Sequence, residues 1–91
     1  MILNSDLTFP IIHPNGTSAE ELRAGYVAAT RAVQAAITAV SQCNPNGRDY
    51  YPAPESLNRA ISEQQKRLNS LAQIASDLRD LAIHCDKFTK D

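Results

Sequence analysis

The chain has little glycine and no run of charge of one sign. It contains three glycines, two cysteines and no tryptophan, and nine lysines and arginines nearly balance ten aspartates and glutamates. So little glycine leaves no glycine-rich loop of the kind that holds phosphates. The basic residues are spread along the chain, which argues against a nucleic-acid groove or an anionic membrane surface. No apolar run approaches the roughly 18 residues needed to span a bilayer. We therefore expect neither DNA, RNA nor a membrane as a partner.

Targeting signals and cysteine chemistry are also sparse. The N-terminus lacks the positive segment and continuous apolar core of a secretory signal, which predicts a cytoplasmic protein. Cys43 and Cys85 fall at the ends of two predicted helices, and in an antiparallel hairpin these ends are tens of ångströms apart. An intrachain disulfide is therefore excluded. His84 directly precedes Cys85, but neighbours in a helix point in different directions, so we predict reduced thiols and no metal site.

Apolar residues recur at alternating spacings of four and three over residues 18–42, which is the pattern of an amphipathic helix. The stripe consists of Leu22, Tyr26, Ala29, Val33, Ala36 and Val40. A second seam of small residues runs beside it: Gly25, Ala28, Ala32, Ala35 and Ala39. Small residues let another helix approach closely, so the seam favours contact with a further chain. The alternative is that alanine is simply the best helix former and tolerates solvent.

A second helix is predicted over residues 54–88, because Pro54 suits the first helical position and an apolar stripe follows it. The stripe consists of Leu57, Ile61, Gln64, Leu68, Leu71, Ala75, Leu78, Ala82 and Cys85. Gln64 interrupts this stripe. A single amide in an apolar stripe typically specifies register or oligomeric state, and we predict that role for it.

These segments predict an all-α fold with one domain, an antiparallel two-helix hairpin preceded by an extended apolar arm. The predicted parts are the arm and first turn (1–17), helix one (18–42), the hinge (43–53) and helix two (54–88). Helix two is longer than helix one, and we expect the arm to cover the overhang: Ile2, Leu7, Phe9 and Ile11 against Leu81, Ile83 and Phe88. A hairpin of 91 residues cannot bury both its faces, which predicts a helical-bundle homo-oligomer.

The hinge combines turn formers with binding chemistry. Asn-Gly and the flanking prolines disfavour a helix here. Four side chains then stand at an exposed bend: Arg48, Asp49, Tyr50 and Tyr51. A connection with only a geometric role is usually built of Gly, Asn, Ser and Asp, so two tyrosines beside an arginine favour a binding surface. The alternative is that the tyrosines cap the hairpin core.

A second turn, residues 13–18, precedes helix one. It predicts a capping box: Thr17 with Glu20 or Ser18 with Glu21. A cap needs neither His13 nor Asn15, so these two side chains are candidates for binding.

The two turns lie at opposite poles of the hairpin, about 35 Å apart from the length of helix one. One chain cannot unite them. Two hairpins paired antiparallel would do so, and two-fold symmetry would give two equivalent pockets per dimer. Such a pocket would suit a nucleotide-sized ligand with an aromatic base, bound by His13, Asn15, Thr17, Arg48, Asp49, Tyr50 and Tyr51.

The two turn motifs resemble those of a group of short proteins encoded by tailed phages and prophages. Their patterns are H-x-N-G-T-S, found here at residues 13–18, and G-R-D-Y-Y-P, at residues 47–52, with Leu22 and Tyr26 between them. The resemblance covers about residues 12–80. The chain is also similar in size and helical make-up to phage sponges, which are small helical oligomers that bind the nucleotide messengers of host defence systems.

The resemblance implies a phage origin, and together with the chemistry of the pocket this predicts an anti-defence protein of the host cytoplasm. It would sequester a cyclic ADP-ribose-type or cyclic oligonucleotide signal without catalysis and without a cofactor. The alternative is a phage structural or interaction protein that docks through its tyrosine-rich hinge. An enzyme is not predicted: His13 and Asp49 could act as acid and base, but the sequence shows no activated nucleophile, metal set or phosphate loop.

Overall fold

The computed structural model describes residues 7–89, and within that range it is helical with no strand. Helix α1 spans Ala19–Ser41, a short 3₁₀ turn spans Gly47–Tyr50, and helix α2 spans Glu55–Asp86. Helix α1 packs against α2, and the 3₁₀ turn also contacts α2. The predicted all-α class and the packing of two helices are confirmed. Neither helix, within the described residues, is long and apolar enough to cross a membrane.

Ser18 starts α1 as its N-cap. Its Oγ accepts a hydrogen bond from the backbone N–H of Glu21 at 3.1 Å and donates to the Glu21 carboxylate at 3.4 Å. Of the two capping boxes that the sequence allows, the structure therefore uses the one built on Ser18. The acidic first turn, Glu20 and Glu21, also complements the partial positive charge of the helix N-terminus.

Helix α2 begins and ends slightly inside the predicted range. Pro54 stands at the N-cap, one position earlier than expected, and makes no side-chain capping bond. Its carbonyl accepts from the N–H of Leu57 at 3.1 Å. At the other end, Lys87 is the C-cap and Phe88 lies beyond the helix.

Contacts at both ends of the hairpin show that the helices run antiparallel. Arg23, near the start of α1, pairs with Asp86 at the end of α2, with 3.5 Å between Nε and Oδ1. At the other end Gln64 of α2 hydrogen-bonds to Val40, near the end of α1. Each helix thus holds the other at a fixed register.

Gln64 is the polar residue that the hairpin buries among residues 7–89, with 6% of its surface exposed. Its Nε2 donates to the Val40 carbonyl at 2.8 Å and to Asn44 Oδ1 at 3.0 Å, and its Oε1 accepts from Arg67 Nη1 at 3.2 Å. Val40 supplies one of the last four carbonyls of α1, which lack full helical partners. The predicted role in register is therefore carried out within one chain, as a cap on the end of α1.

The arm reaches the end of α2 through Phe9, one of the predicted residues, and the residue that it meets there is His84, which was not predicted. His84 Nε2 lies 3.0 Å from the Pro10 carbonyl oxygen, and the rings of Phe9 and Phe88 pack on its imidazole at centroid distances of 4.7 and 5.3 Å. Ile11 is 84% exposed, so the expectation that it covers α2 is wrong. Ile2 lies outside the described residues.

The hairpin core is small and leaves large apolar side chains open. Ala19, Ala75, Ala82 and Cys85 are the well-buried apolar residues of the described part, with Gln64 beside them. Roughly half of the side chain remains exposed in four larger residues: Ile61, Ile74, Ile83 and Phe88. Both cysteines are free, Cys43 on the surface and Cys85 at 0% exposure. One hairpin therefore leaves apolar faces unburied, while assembly into an oligomer stays a prediction.

Replacing Gln64 tests its role as the cap that sets the register. Gln64→Ala removes the donor to Val40 and Asn44, and we expect the free energy of unfolding to fall by about 1–3 kcal/mol, the loss of two hydrogen bonds at about 0.5–1.5 kcal/mol each. Urea denaturation at one fixed protein concentration measures the change. The control is Gln65→Ala, which loses only a surface bond to Asn69 and should change stability by less than about 0.5 kcal/mol. Equal stability of the two variants would contradict the capping role.

Candidate functional site

Hydrogen bonds of Asn46 hold the turn of the hinge. The Asn46 Oδ1 accepts from the backbone N–H of Arg48 at 3.0 Å, and its Nδ2 donates to Asp49 Oδ2 at 3.0 Å. Its carbonyl also accepts from the N–H of Asp49 at 3.2 Å. One carboxylate oxygen of Asp49 is thereby engaged in the turn itself. Asp49 therefore shapes the hinge, and its other oxygen is the one left to meet a ligand.

The side chains of Arg48 and Tyr51 project from this turn into solvent. Arg48 is exposed, and Tyr51 is 81% exposed. Tyr50 is half-buried, and its carbonyl accepts from the N–H of Ala53 at 3.0 Å. The alternative that the tyrosines cap the hairpin core thus suits Tyr50 but not Tyr51. A planar cation and an aromatic ring stand on a turn whose own hydrogen bonds are already made.

The first turn holds its candidate side chains at the opposite end of α1. The carbonyl of His13 accepts from the N–H of Gly16 at 3.1 Å, and the imidazole folds over that glycine. His13, Asn15 and Thr17 are all exposed. Because Ser18 is the cap, Thr17 has no capping task, and the structure gives the side chains of Asn15 and Thr17 no hydrogen-bond partner within residues 7–89.

A single chain does not bring these two groups together. The 23 residues of α1 separate them, which corresponds to about 34 Å at the rise of an α-helix. His13 and Asp49 are thus too far apart to act as an acid–base pair on one substrate within one chain. Any site that uses both turns has to draw them from two copies.

The surface cavities of the hairpin are lined by other residues. One of about 280 Å³ lies between the start of α1 and the end of α2, lined by Arg23, Val27, Arg79, Ala82, Ile83 and Asp86. A second of about 260 Å³ lies beside the hinge, lined by Asn44, Pro45, Ile61, Gln64, Gln65 and Leu68. The predicted site residues line neither cavity.

The first cavity has binding chemistry that the sequence did not single out. Two guanidinium groups, from Arg23 and Arg79, stand beside an apolar floor. The Nε of Arg23 is buried and lacks a hydrogen-bond acceptor, since its 3.5 Å approach to Asp86 is an ion pair of poor hydrogen-bond geometry. The two arginines lie on different helices, so no local sequence pattern joins them. Within residues 7–89 the structure places no cluster of His, Cys, Asp or Glu that could hold a metal ion.

The position of the His13 ring can be tested through Gly16. A methyl group at Gly16 would lie 2.9 Å from His13 Nε2, so we expect Gly16→Ala to turn the exposed imidazole aside at a stability cost below about 0.5 kcal/mol. NMR of the His13 ring carbons and thermal melting measure the two effects. Gly47→Ala is the matched control, because a methyl group there meets nothing within 4 Å. An unchanged His13 ring signal in Gly16→Ala would show that the imidazole does not lie over the turn.

Comparison with known proteins gives no family from which the role of the site could be inferred. The chain matches no protein-family model, no curated protein and no solved structure. The resemblance of its two turn motifs to short phage proteins therefore stays a prediction.

Proposed function

We propose that the chain is a phage-encoded anti-defence protein that binds and sequesters a nucleotide-derived signalling molecule, of the cyclic ADP-ribose or cyclic oligonucleotide type, without catalysis. The observation that carries the proposal is the hinge. Asn46 satisfies the turn, and this leaves Arg48 and Tyr51 exposed and without a structural task. Exposing a large aromatic ring on a held turn favours a binding role for it.

The two exposed groups match the two ends of a nucleotide. A guanidinium binds a phosphate through two parallel hydrogen bonds, which makes Arg48 the anchor for the anion. An aromatic ring stacks on a base, a contact worth about 1–3 kcal/mol, which is the role of Tyr51. Because the net charge of the chain is only −1, the attraction for an anion is local to the site and not a property of the whole surface.

The first turn of a second copy supplies the remaining groups. His13, Asn15 and Thr17 carry hydrogen-bond donors and acceptors that suit ribose hydroxyls and base edges. They are exposed and lie at the far pole of their own chain. In an antiparallel pair they would stand beside the hinge of the other chain, and two such sites would form per dimer.

The same arrangement supports sequestration without turnover. Asp49 is held by Asn46, and a ribose or phosphate held between Arg48 and Tyr51 meets no activated nucleophile in the hinge. The bound molecule is therefore released unchanged when the protein unfolds.

Docking on another protein is the second candidate function. The 81% exposure of Tyr51 favours it as well, because tyrosine and arginine are the residues that most often anchor protein interfaces. The two functions differ in whether the wild-type chain binds a nucleotide at all.

Substitution of the hinge tests the proposal by calorimetry against a cyclic dinucleotide and cyclic ADP-ribose. We expect the wild type to bind at least one of the two. Arg48→Ala should weaken binding by about 10–100-fold, since hydrogen bonds to charged groups contribute about 1.5–3 kcal/mol, and Tyr51→Ala should weaken it by a similar factor through lost stacking. Arg31→Ala is the control, because Arg31 is an exposed arginine near the middle of α1, far from both turns.

Native mass spectrometry of protein taken from cells with active defence signalling adds the second half of the test. The expected result is an oligomer that carries a small molecule, which is recovered intact after denaturation. A wild type that binds neither probe and carries nothing, with Tyr51 needed only to capture a protein, would replace sequestration by docking. Conversion of the ligand on the protein would contradict the absence of catalysis.

A further inference from the structure

The cavity between the start of α1 and the end of α2 contains a hydrogen-bond donor that the hairpin leaves unused. The Nε of Arg23 is buried and has no hydrogen-bond partner within residues 7–89, although 44% of the whole side chain is exposed. The inner nitrogen is thus covered while the rest of the guanidinium reaches solvent. A buried charged donor without an acceptor is unfavourable, because it has lost its hydrogen bonds to water and gained none in return. The cavity therefore lacks an acceptor for Arg23.

Asp86 is the ion-pair partner of Arg23, and it is held there weakly. Its Oδ1 lies 3.5 Å from Arg23 Nε, beyond the range of a good N–H···O bond, and is also 3.5 Å from Thr89 Oγ1. Asp86 is the last residue of α2, where the partial negative charge of the helix C-terminus disfavours a carboxylate. Because 66% of its side chain is exposed, the carboxylate has room to turn into solvent. An incoming carboxylate can displace it.

A second guanidinium, from Arg79, lines the same cavity. Arg79 is exposed, and the structure gives it no ion pair within residues 7–89. The lining therefore carries two positive charges and one negative charge, from Arg23, Arg79 and Asp86. A monoanion neutralises this excess, whereas a dianion such as phosphate would leave a net negative charge beside the C-terminus of α2. The charges of the cavity thus favour a ligand with a single negative charge.

The rest of the lining is apolar and comes from Val27, Ala82 and Ile83. Ile83 is 54% exposed, so a ligand that covers it removes apolar surface from water. The cavity has a volume of about 280 Å³, which at roughly 30 Å³ for each water-sized group holds about nine non-hydrogen atoms. That is the size of a benzoate ion and far below the size of a dinucleotide. The occupant is therefore a different molecule from the ligand proposed for the hinge.

We propose that this cavity binds a small monocarboxylate with an apolar body, either aromatic or short and aliphatic. The carboxylate accepts two parallel hydrogen bonds from the Nε–H and one Nη–H of Arg23, receives a further bond from Arg79, and displaces Asp86. The ring or chain of the ligand lies on the apolar part of the lining. The site is at the opposite pole from the hinge and does not depend on the proposed function.

Titration with benzoate at mildly acidic pH and constant ionic strength, followed by NMR of labelled protein, tests the site. Benzoate is ionised under these conditions. We expect the Arg23 Nε–H signal to move downfield as this donor gains an acceptor, and the Ala82 methyl signal to shift with the same dissociation constant. Benzamide has the same shape without the charge, and acetate has the charge without the ring. Each should bind at least about 10-fold more weakly than benzoate.

Asp86→Asn is the sharpest variant, because it should gain binding and so cannot be mistaken for a misfolded chain. The substitution removes the competing carboxylate from Arg23, and we expect benzoate to bind about 2–5-fold more tightly, which corresponds to the loss of a surface ion pair. Asp80→Asn is the matched control. It removes one negative charge from the same helix, but Asp80 does not line this cavity, so its affinity should stay close to that of the wild type.

The two arginines are tested by Arg23→Gln and Arg79→Gln. Each variant should bind benzoate about 10-fold more weakly, since each loses a hydrogen bond between charged groups. Arg31→Gln is the control, an exposed arginine near the middle of α1 that does not line the cavity. It should bind as the wild type does.

The outcomes separate this site from the hinge. Benzoate that leaves the Arg23 Nε–H signal in place, or binds no better than benzamide, overturns the proposal. Inorganic phosphate that binds as tightly as benzoate also overturns it, because the site would then not select an apolar monoanion, and so does an equal gain in Asp86→Asn and Asp80→Asn. Benzoate binding by a chain that binds no nucleotide supports the cavity site and rejects the proposed function.

Discussion

The hydrogen bonds of one buried amide fix the geometry on which the rest of this structure depends. Gln64, in the first third of α2, hydrogen-bonds to Val40 in the last turn of α1 and to Asn44 just beyond that helix. The chain must then leave α1 and re-enter α2 within a set distance, and the 3₁₀ turn fills that gap. An unpaired amide at this depth costs more than the bonds gain. The register of the hairpin is therefore specific, and the shape of the hinge follows from it.

That register decides which side chains are left for binding. Asn46 and Asp49 complete the turn between themselves, while Arg48 and Tyr51 project from it. The same hairpin covers only one face of α1, because a single neighbouring helix cannot cover two. The open seam and the exposed hinge are thus two results of one constraint, a core made of two helices. In our account a second copy of the chain covers the seam and also completes the site.

Local sequence signals predicted the helices well, because apolar spacing, the Ser18 cap and the proline-rich hinge act within a few residues. Contacts between residues far apart in the sequence were harder to predict. The partner of Gln64 depends on the relative position of the two helices. His84 anchors the arm through Pro10, although no local pattern marks it. Asn46 could have been recognised, since an asparagine two and three residues before its partners is a common turn cap. The sequence can predict which side chains contribute to a composite site, but it cannot predict whether they lie close together in the structure.

The central claim is that opposite poles of two chains lie side by side. The distance between spin labels on the two chains, measured by electron paramagnetic resonance, tests it most directly. One pool of chains carries a spin label at Glu20→Cys and another at Gln42→Cys, both with Cys43→Ser, and the pools are mixed. The account predicts a distance on the order of 20 Å between labels on different chains, set by helix spacing and the label arms. The absence of coupling in the mixture, or a short distance within the Glu20→Cys pool alone, would contradict it.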